Sequence, residues 1–234
     1  MAVEPTYTSE KVCPICDNTF PATITRSRLT MTSQDSDFCT YYKEVNPNYY
    51  AVWVCPQCGY AALDTYFQEQ NPAAVEKIRT FLQGRTVNVN FGGIRTREQA
   101  IATYKLAIFY ADLSNSLKSR IGALYLRLAW LYRDGQQEAE EQAALDKARD
   151  YYEQAMLRER TPIGNMSQFT LEYLIGELLR RTGNLDQALS YMGKVAGDPL
   201  AKNEYKIWKM AKESWQQIRE AKKKLLEAEK DAAE

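Results

Sequence analysis

The chain has 234 residues, 45% of them apolar and 26% charged, which is enough to bury a core and too apolar for wholesale disorder. Its 30 basic and 30 acidic side chains cancel, and residues 1–97 hold nine of each, which argues against a nucleic-acid module without excluding a local basic face. Histidine is absent, removing the commonest general base, the imidazole metal ligand and the pH switch near neutrality.

The first 30 residues show no basic start followed by an apolar run and a cleavage site. No later stretch approaches the roughly 18 apolar residues of a membrane span, so the expected address is the cytoplasm. Cysteine is confined to the first 58 residues, and five copies fit a secreted disulfide framework poorly. Cys13-Pro-Ile-Cys16 and Cys55-Pro-Gln-Cys58 share the two-residue spacing that lets both thiolates of a pair reach one tetrahedral ion at about 2.3 Å. A redox protein needs one such pair, not two with proline at the same inner position. The reading is one structural zinc ion held by Cys13, Cys16, Cys55 and Cys58, since four thiolates leave no open position for catalysis. Gly59 supplies the tight turn after the second pair.

Between the pairs, Thr19 to Thr32 alternates in a strand-like way, with Ile24 on one face and Thr23 and Thr25 on the other. Arg26 and Arg28 in this stretch are the candidate nucleic-acid-binding residues. Tyr49 to Val54 reads as a second strand leading into the second pair. From Phe38 to Phe67 the chain holds nine of its aromatic residues, which serve either as a base-stacking platform or, the favoured reading, as packing between ribbon and helices. Cys39 is unpaired and reads as a buried, inert thiol, with a reactive thiol or an alternate metal ligand as the competing readings. Asp35, Asp37 and Glu44 form a candidate carboxylate cluster for a metal-dependent enzyme.

The run Asp35-Ser36-Asp37-Phe38-Cys39, then Tyr42, Asn46-Pro47 and Tyr50, then Val52-Trp53-Val54-Cys55-Pro56 with Cys58-Gly59-Tyr60-Ala61, resembles a broadly distributed bacterial family of unknown function. Its members join an N-terminal paired-cysteine segment to tetratricopeptide-like helices. Where family members often place Pro-His after the cysteine of the first run, this chain has Thr40-Tyr41, so a histidine role there is impossible. The resemblance implies a zinc-ribbon and helical-repeat architecture and no particular activity.

Ala61 to Gln70 reads as a short helix, and Asn71-Pro72 starts a second that stops at Gly84. Arg85 to Ile94 reads as a linker, with a returning strand as the competitor. Thr96 and Gln99 form a capping box for a helix whose buried face is Ile101, Tyr104, Ala107, Ile108 and Ala111. Leu124, Leu128, Ala129, Leu131 and Tyr132, followed by Ala148, Tyr152 and Ala155, carry tetratricopeptide spacings, with the turn between them stretched from Asp134 to about Glu140. A cleaner unit has Ile175, Gly176 and Leu179, a break at Gly183, then Ala188, Met192 and Ala196. Asp198-Pro199 caps a last helix whose Tyr205, Trp208 and Trp215 cover the end of the array, and the tail with Lys222-Lys223-Lys224 frays in solvent.

The fold class expected is therefore mainly α: tetratricopeptide-like helical repeats at 96–234 behind a small zinc-ribbon-like β module with short helices at 1–95. The leading function is a protein–protein interaction adapter or assembly factor, with a protein or peptide partner held by Arg127 and Arg133. The alternatives are a nucleic-acid-associated zinc-ribbon protein and a metal-dependent enzyme.

Overall fold

The computed structural model describes residues 4–85, 87 and 89–231, with side chains to Lys224. Its N-terminal part is built from three separate antiparallel pairs: β1 (Thr6–Val12) with β2 (Thr19–Thr25), β3 (Met31–Gln34) with β4 (Thr40–Tyr42), and β5 (Val52–Val54) with β6 (Ala61–Leu63). Tyr7 lies opposite Ile24 and Val12 opposite Thr19 in the first pair; Trp53 lies opposite Ala62 in the third. Polar residues on both faces hide β1 from any search for apolar alternation, and much of it is exposed. The helix expected over Ala61 to Gln70 is instead β6 followed by a 3₁₀ turn at Asp64–Tyr66. Pairing of Ala61 with Val54 overrides the helix preference of the two alanines.

The helices follow: α1 (Pro72–Leu82), α2 (Arg97–Leu113), α3 (Lys118–Asp134), α4 (Glu138–Arg158), α5 (Gln168–Arg181), α6 (Leu185–Gly197) and α7 (Tyr205–Asp231). The molecule is mainly α, with the small strand pairs gathered at its N-terminal end. None of the described helices is long and apolar enough to cross a membrane. Asn71 caps α1 by accepting from the Ala74 amide at 2.8 Å, with Pro72 at the first helical position. Both bonds of the Thr96–Gln99 capping box are made. The buried face of α2 is Ala100, Thr103, Tyr104, Ala107, Ile108 and Tyr110, rotated slightly from the expected one, with Ile101 and Ala111 only half-buried.

The turn between α3 and α4 spans only residues 135–137, with Gln136 in the left-handed region at φ 56°. The acidic stretch expected there is the first turn of α4, where Glu138, Glu140 and Glu141 complement the positive end of the helix dipole. Among its described residues the 85–94 segment forms neither helix nor strand, and the Gly93 amide donates to Thr23 Oγ1 at 2.9 Å.

Two compact units are present, Met1–Ala144 and Leu145–Glu234. The boundary expected at 95/96 lies inside the first of them, because α2 packs on β5, β6 and the 3₁₀ turn at Pro47–Tyr49. Tyr104 reaches the Asn48 carbonyl at 3.1 Å, and Tyr49 reaches Asp134 at the end of α3 at 2.6 Å. In the second unit α6 packs on both α5 and α7. Leu171 to Leu179 of α5 is buried throughout, including Glu172 and Glu177. A Cβ on Gly176 would lie 3.0 Å from Tyr191 Cβ, so the glycine sets the close approach of α5 and α6. The tail does not simply fray: α7 is helical to Asp231, and Lys222 pairs with Asp186.

Candidate metal centre

Each cysteine pair forms the turn of a hairpin, and the two turns are built alike. The Cys13 amide donates to Asn18 O at 2.9 Å and Asp17 N donates to Cys13 O at 3.0 Å. In the other hairpin Cys55 N donates to Tyr60 O at 2.9 Å and Gly59 N to Cys55 O at 2.8 Å. The residue four places after the first cysteine is left-handed in both, Asp17 at φ 59° and Gly59 at φ 74°. The left-handed φ favours glycine at 59, and space demands it, since a Cβ there would meet Val87 Cγ1 at 2.7 Å. The equivalence of Asp17 is not visible in sequence, where aspartate carries no requirement for positive φ.

The turns face one another and bring the four sulfurs within 4.8 Å. Cys13 Sγ lies 3.6 Å from Cys58 Sγ, and Cys16 Sγ 3.7 Å from Cys55 Sγ. A tetrahedral ion with bonds of about 2.3 Å sets its thiolates about 3.8 Å apart, so the four side chains fit a single metal. Cys13, Cys55 and Cys58 are buried and Cys16 is half-buried; all are free thiols. Hydrogen bonds from Cys13 and then Cys58 hold Cys55 far below the usual thiol range, at about 2. Cys13 is pushed up to about 12, first by its bond to Cys55, and Cys58 is raised by its bonds to Cys13 and Cys55. Four thiolates this close repel one another, and a divalent cation at their centre would let all four ionise together.

The hairpins are held from behind. Phe67, fully buried, touches Phe20, Trp53 and Tyr60 with ring centroids 5.8, 5.7 and 5.0 Å away, and Tyr60 meets Tyr110 of α2 edge-on at 5.5 Å. These rings pack; they do not form an open stacking platform. Arg79 of α1 donates to Ile15 O at 2.6 Å and pairs with Asp17 at 3.3 Å, pinning the first turn from a helix that sequence reasoning did not connect with the site.

The Asp35–Cys39 run closes a tight loop, with Asp35 N bonded to Cys39 O at 2.8 Å and Phe38 at φ 69°. Asp35 and Asp37 do converge, but on Arg133 rather than on a metal: Arg133 reaches Asp35 at 2.8 Å, Asp37 at 2.7 Å and Glu141 at 2.7 Å. Trp130 Nε1 adds a bond to Asp37 at 3.1 Å, and Tyr41 one to Asp35 at 3.0 Å. Glu44 turns elsewhere, accepting from Thr30 N and Oγ1. Arg133, expected to face a peptide groove, therefore points inward and has its guanidinium occupied by three carboxylates of its own chain. Desolvation works against its charge, and Asp37 and Glu141 more than offset it, raising the guanidinium further above its ordinary value. Arg127 is half-buried beside the hydroxyl of Tyr104. Arg26 and Arg28 are exposed, and Arg26 is engaged by Glu4 O at 2.8 Å and the Tyr7 ring at 5.5 Å. Cys39 is buried, and burial first, then Asp37, pushes its thiol up to about 12, as an inert cysteine requires.

Four cysteines gathered at metal-ligand distance by two hairpin turns, continued by helices, define the class: a four-cysteine β module on a helical protein. The chain belongs to a family described as uncharacterized protein conserved in bacteria (DUF2225), whose sequence model matches residues 6–218. No curated protein and no solved structure matches it.

Proposed function

We propose that this protein is a cytoplasmic adapter or assembly factor, with one structural zinc ion at its four cysteines and a short tetratricopeptide-like array as its partner-binding part. Zinc is favoured because the four-thiol set is closed, mostly buried and offers no position for a substrate. The observation that carries the adapter reading is a cavity of about 390 Å³ between α6 and α7, walled by Trp208, Trp215, Lys202 and Lys212 over Gly193 and Gly197. Tryptophans are the commonest energetic anchors of protein contacts, and a volume of this size accepts a bulky side chain. Gly193 leaves the indole of Trp215 room against α6, since a Cβ would stand 3.0 Å from its Nε1. Lys212 lies 5.2 Å above the Trp208 ring and Arg219 4.5 Å above that of Trp215, so the walls are aromatic and the rim is cationic. The occupant is an acidic peptide segment carrying one large apolar residue; its carboxylates meet the lysines while the apolar group enters between the indoles.

The test titrates a glutamate-rich peptide with a central phenylalanine into the zinc-loaded chain, following tryptophan emission. A saturable change that disappears in Lys202→Glu/Lys212→Glu and survives in Lys206→Glu/Lys209→Glu supports the reading. Equal binding by both variants, or no binding by wild type, removes it. Zinc-edge absorption on the same samples reports the metal separately: about one zinc with four sulfur neighbours is expected, and iron or no metal would overturn that half.

A further inference from the structure

Helix α7 carries two stripes. One is its core face, where Ala211, Ser214 and Ile218 are buried. About 90° round the helix from them, Tyr205, Trp208, Lys212, Trp215, Arg219 and Lys222 follow one another at alternating steps of three and four residues. That is the spacing with which one helix packs along another. Tyr205, Lys212 and Arg219 are exposed, and the two tryptophans and Lys222 are half-buried, so the stripe is open to contact along its length.

The repeat is chemical as well as spatial. The indoles of Trp208 and Trp215 stand seven residues apart, and so do the cations of Lys212 and Arg219, each step rising about 10.5 Å along the helix. The wall of α6 beside them is low: Gly193, Ala196 and Gly197 line the same cavity as the two tryptophans. A Cβ on Gly197 would meet nothing within 4 Å, which leaves room for another backbone to approach.

We infer that the partner docks along this stripe as an acidic helix, with bulky apolar residues and carboxylates each recurring every seven residues. This rests on the adapter reading and names the form its partner takes. The described residues of the second unit include no strand, so an extended segment would find no sheet edge for its backbone groups, whereas a helix satisfies its own. A second copy laid on the stripe would set cation against cation, which selects an acidic partner instead. From Tyr205 to Lys222 the stripe runs about 25 Å, longer than the cavity that seats a single side chain, and a helix of about five turns covers it.

The experiment uses the full zinc-loaded chain and three glutamate-rich peptides long enough to cover the stripe. In the first, two phenylalanines stand seven residues apart; in the second, one of them is moved by two places onto the opposite helical face; the third is the first with a central proline. Tryptophan emission reads affinity, and far-ultraviolet circular dichroism reads helix gained on mixing. The in-register peptide is expected to bind at least tenfold more tightly than the other two and to gain helical signal. Lys212→Glu/Arg219→Glu should cost at least tenfold in its affinity, and Lys206→Glu/Lys209→Glu, off the stripe, less than threefold. Equal affinity for the three peptides, or binding without gain of helix, overturns the inference while leaving the adapter reading standing. No binding by any of them overturns both. Tighter binding of oligouridylate than of the in-register peptide assigns the stripe to single-stranded nucleic acid and also overturns the inference.

Discussion

Asp37 is the residue on which the N-terminal loop depends, being wholly buried and charged, with Arg133 and Trp130 as its partners. Breaking a buried ion pair from one side leaves an unpaired charge and costs about 3–5 kcal/mol, whereas replacing both members by apolar groups is close to neutral. Arg133→Met should therefore lower stability of the first unit by that amount, and Arg133→Met/Asp37→Leu should recover only part of it, because Glu141 and Asp35 then lose the guanidinium while keeping their charge. Chemical denaturation of the three proteins checks this. An Arg133→Met protein as stable as Lys209→Met on exposed α7 would show the network to be idle. The signature run was legible as a motif, but not its purpose, because Arg133 stands nearly a hundred residues away and no local spacing links them.

At the scale of elements, the two cysteine turns demand the same backbone but carry different residues at the left-handed position. Placing a side chain in that region costs roughly 1–2 kcal/mol for ordinary residues, while aspartate tolerates it. Gly59→Ala adds a clash with Val87 to that strain and should weaken metal retention at least tenfold against a competing chelator. Asp17→Gly keeps the conformation, loses only an exposed pairing with Arg79, and should change retention less than threefold, since such pairs contribute about 0–1 kcal/mol. Equal losses in the two variants would mean that the turn conformation is not what holds the site. Strand β6 illustrates the converse: its alanines favour helix, and only the hairpin across the second cysteine turn makes them extended.

For the whole molecule, α2 and α3 belong with the cysteine hairpins, not with the later helices. Metal removal should therefore loosen more than the ribbon. Hydrogen exchange after chelation is expected to rise in β5, β6, α2 and α3 together, while Leu171–Leu179 of α5 and the buried stretch of α6 stay protected. Loosening confined to residues before 95 would restore the expected boundary. Uniform loss of protection through α5–α7 would show the two units to be one folding body.

The sequence alone determined which cysteines cluster, the mainly helical class, the capped helix starts and the stop at Gly183, because each rests on chemistry within a few residues: thiol spacing, side-chain caps, positive φ. It could not determine where the first unit ends or what faces Arg133. Those depend on which distant residues share a low-dielectric space, and only the packing of hairpins against α2 and α3 decides that.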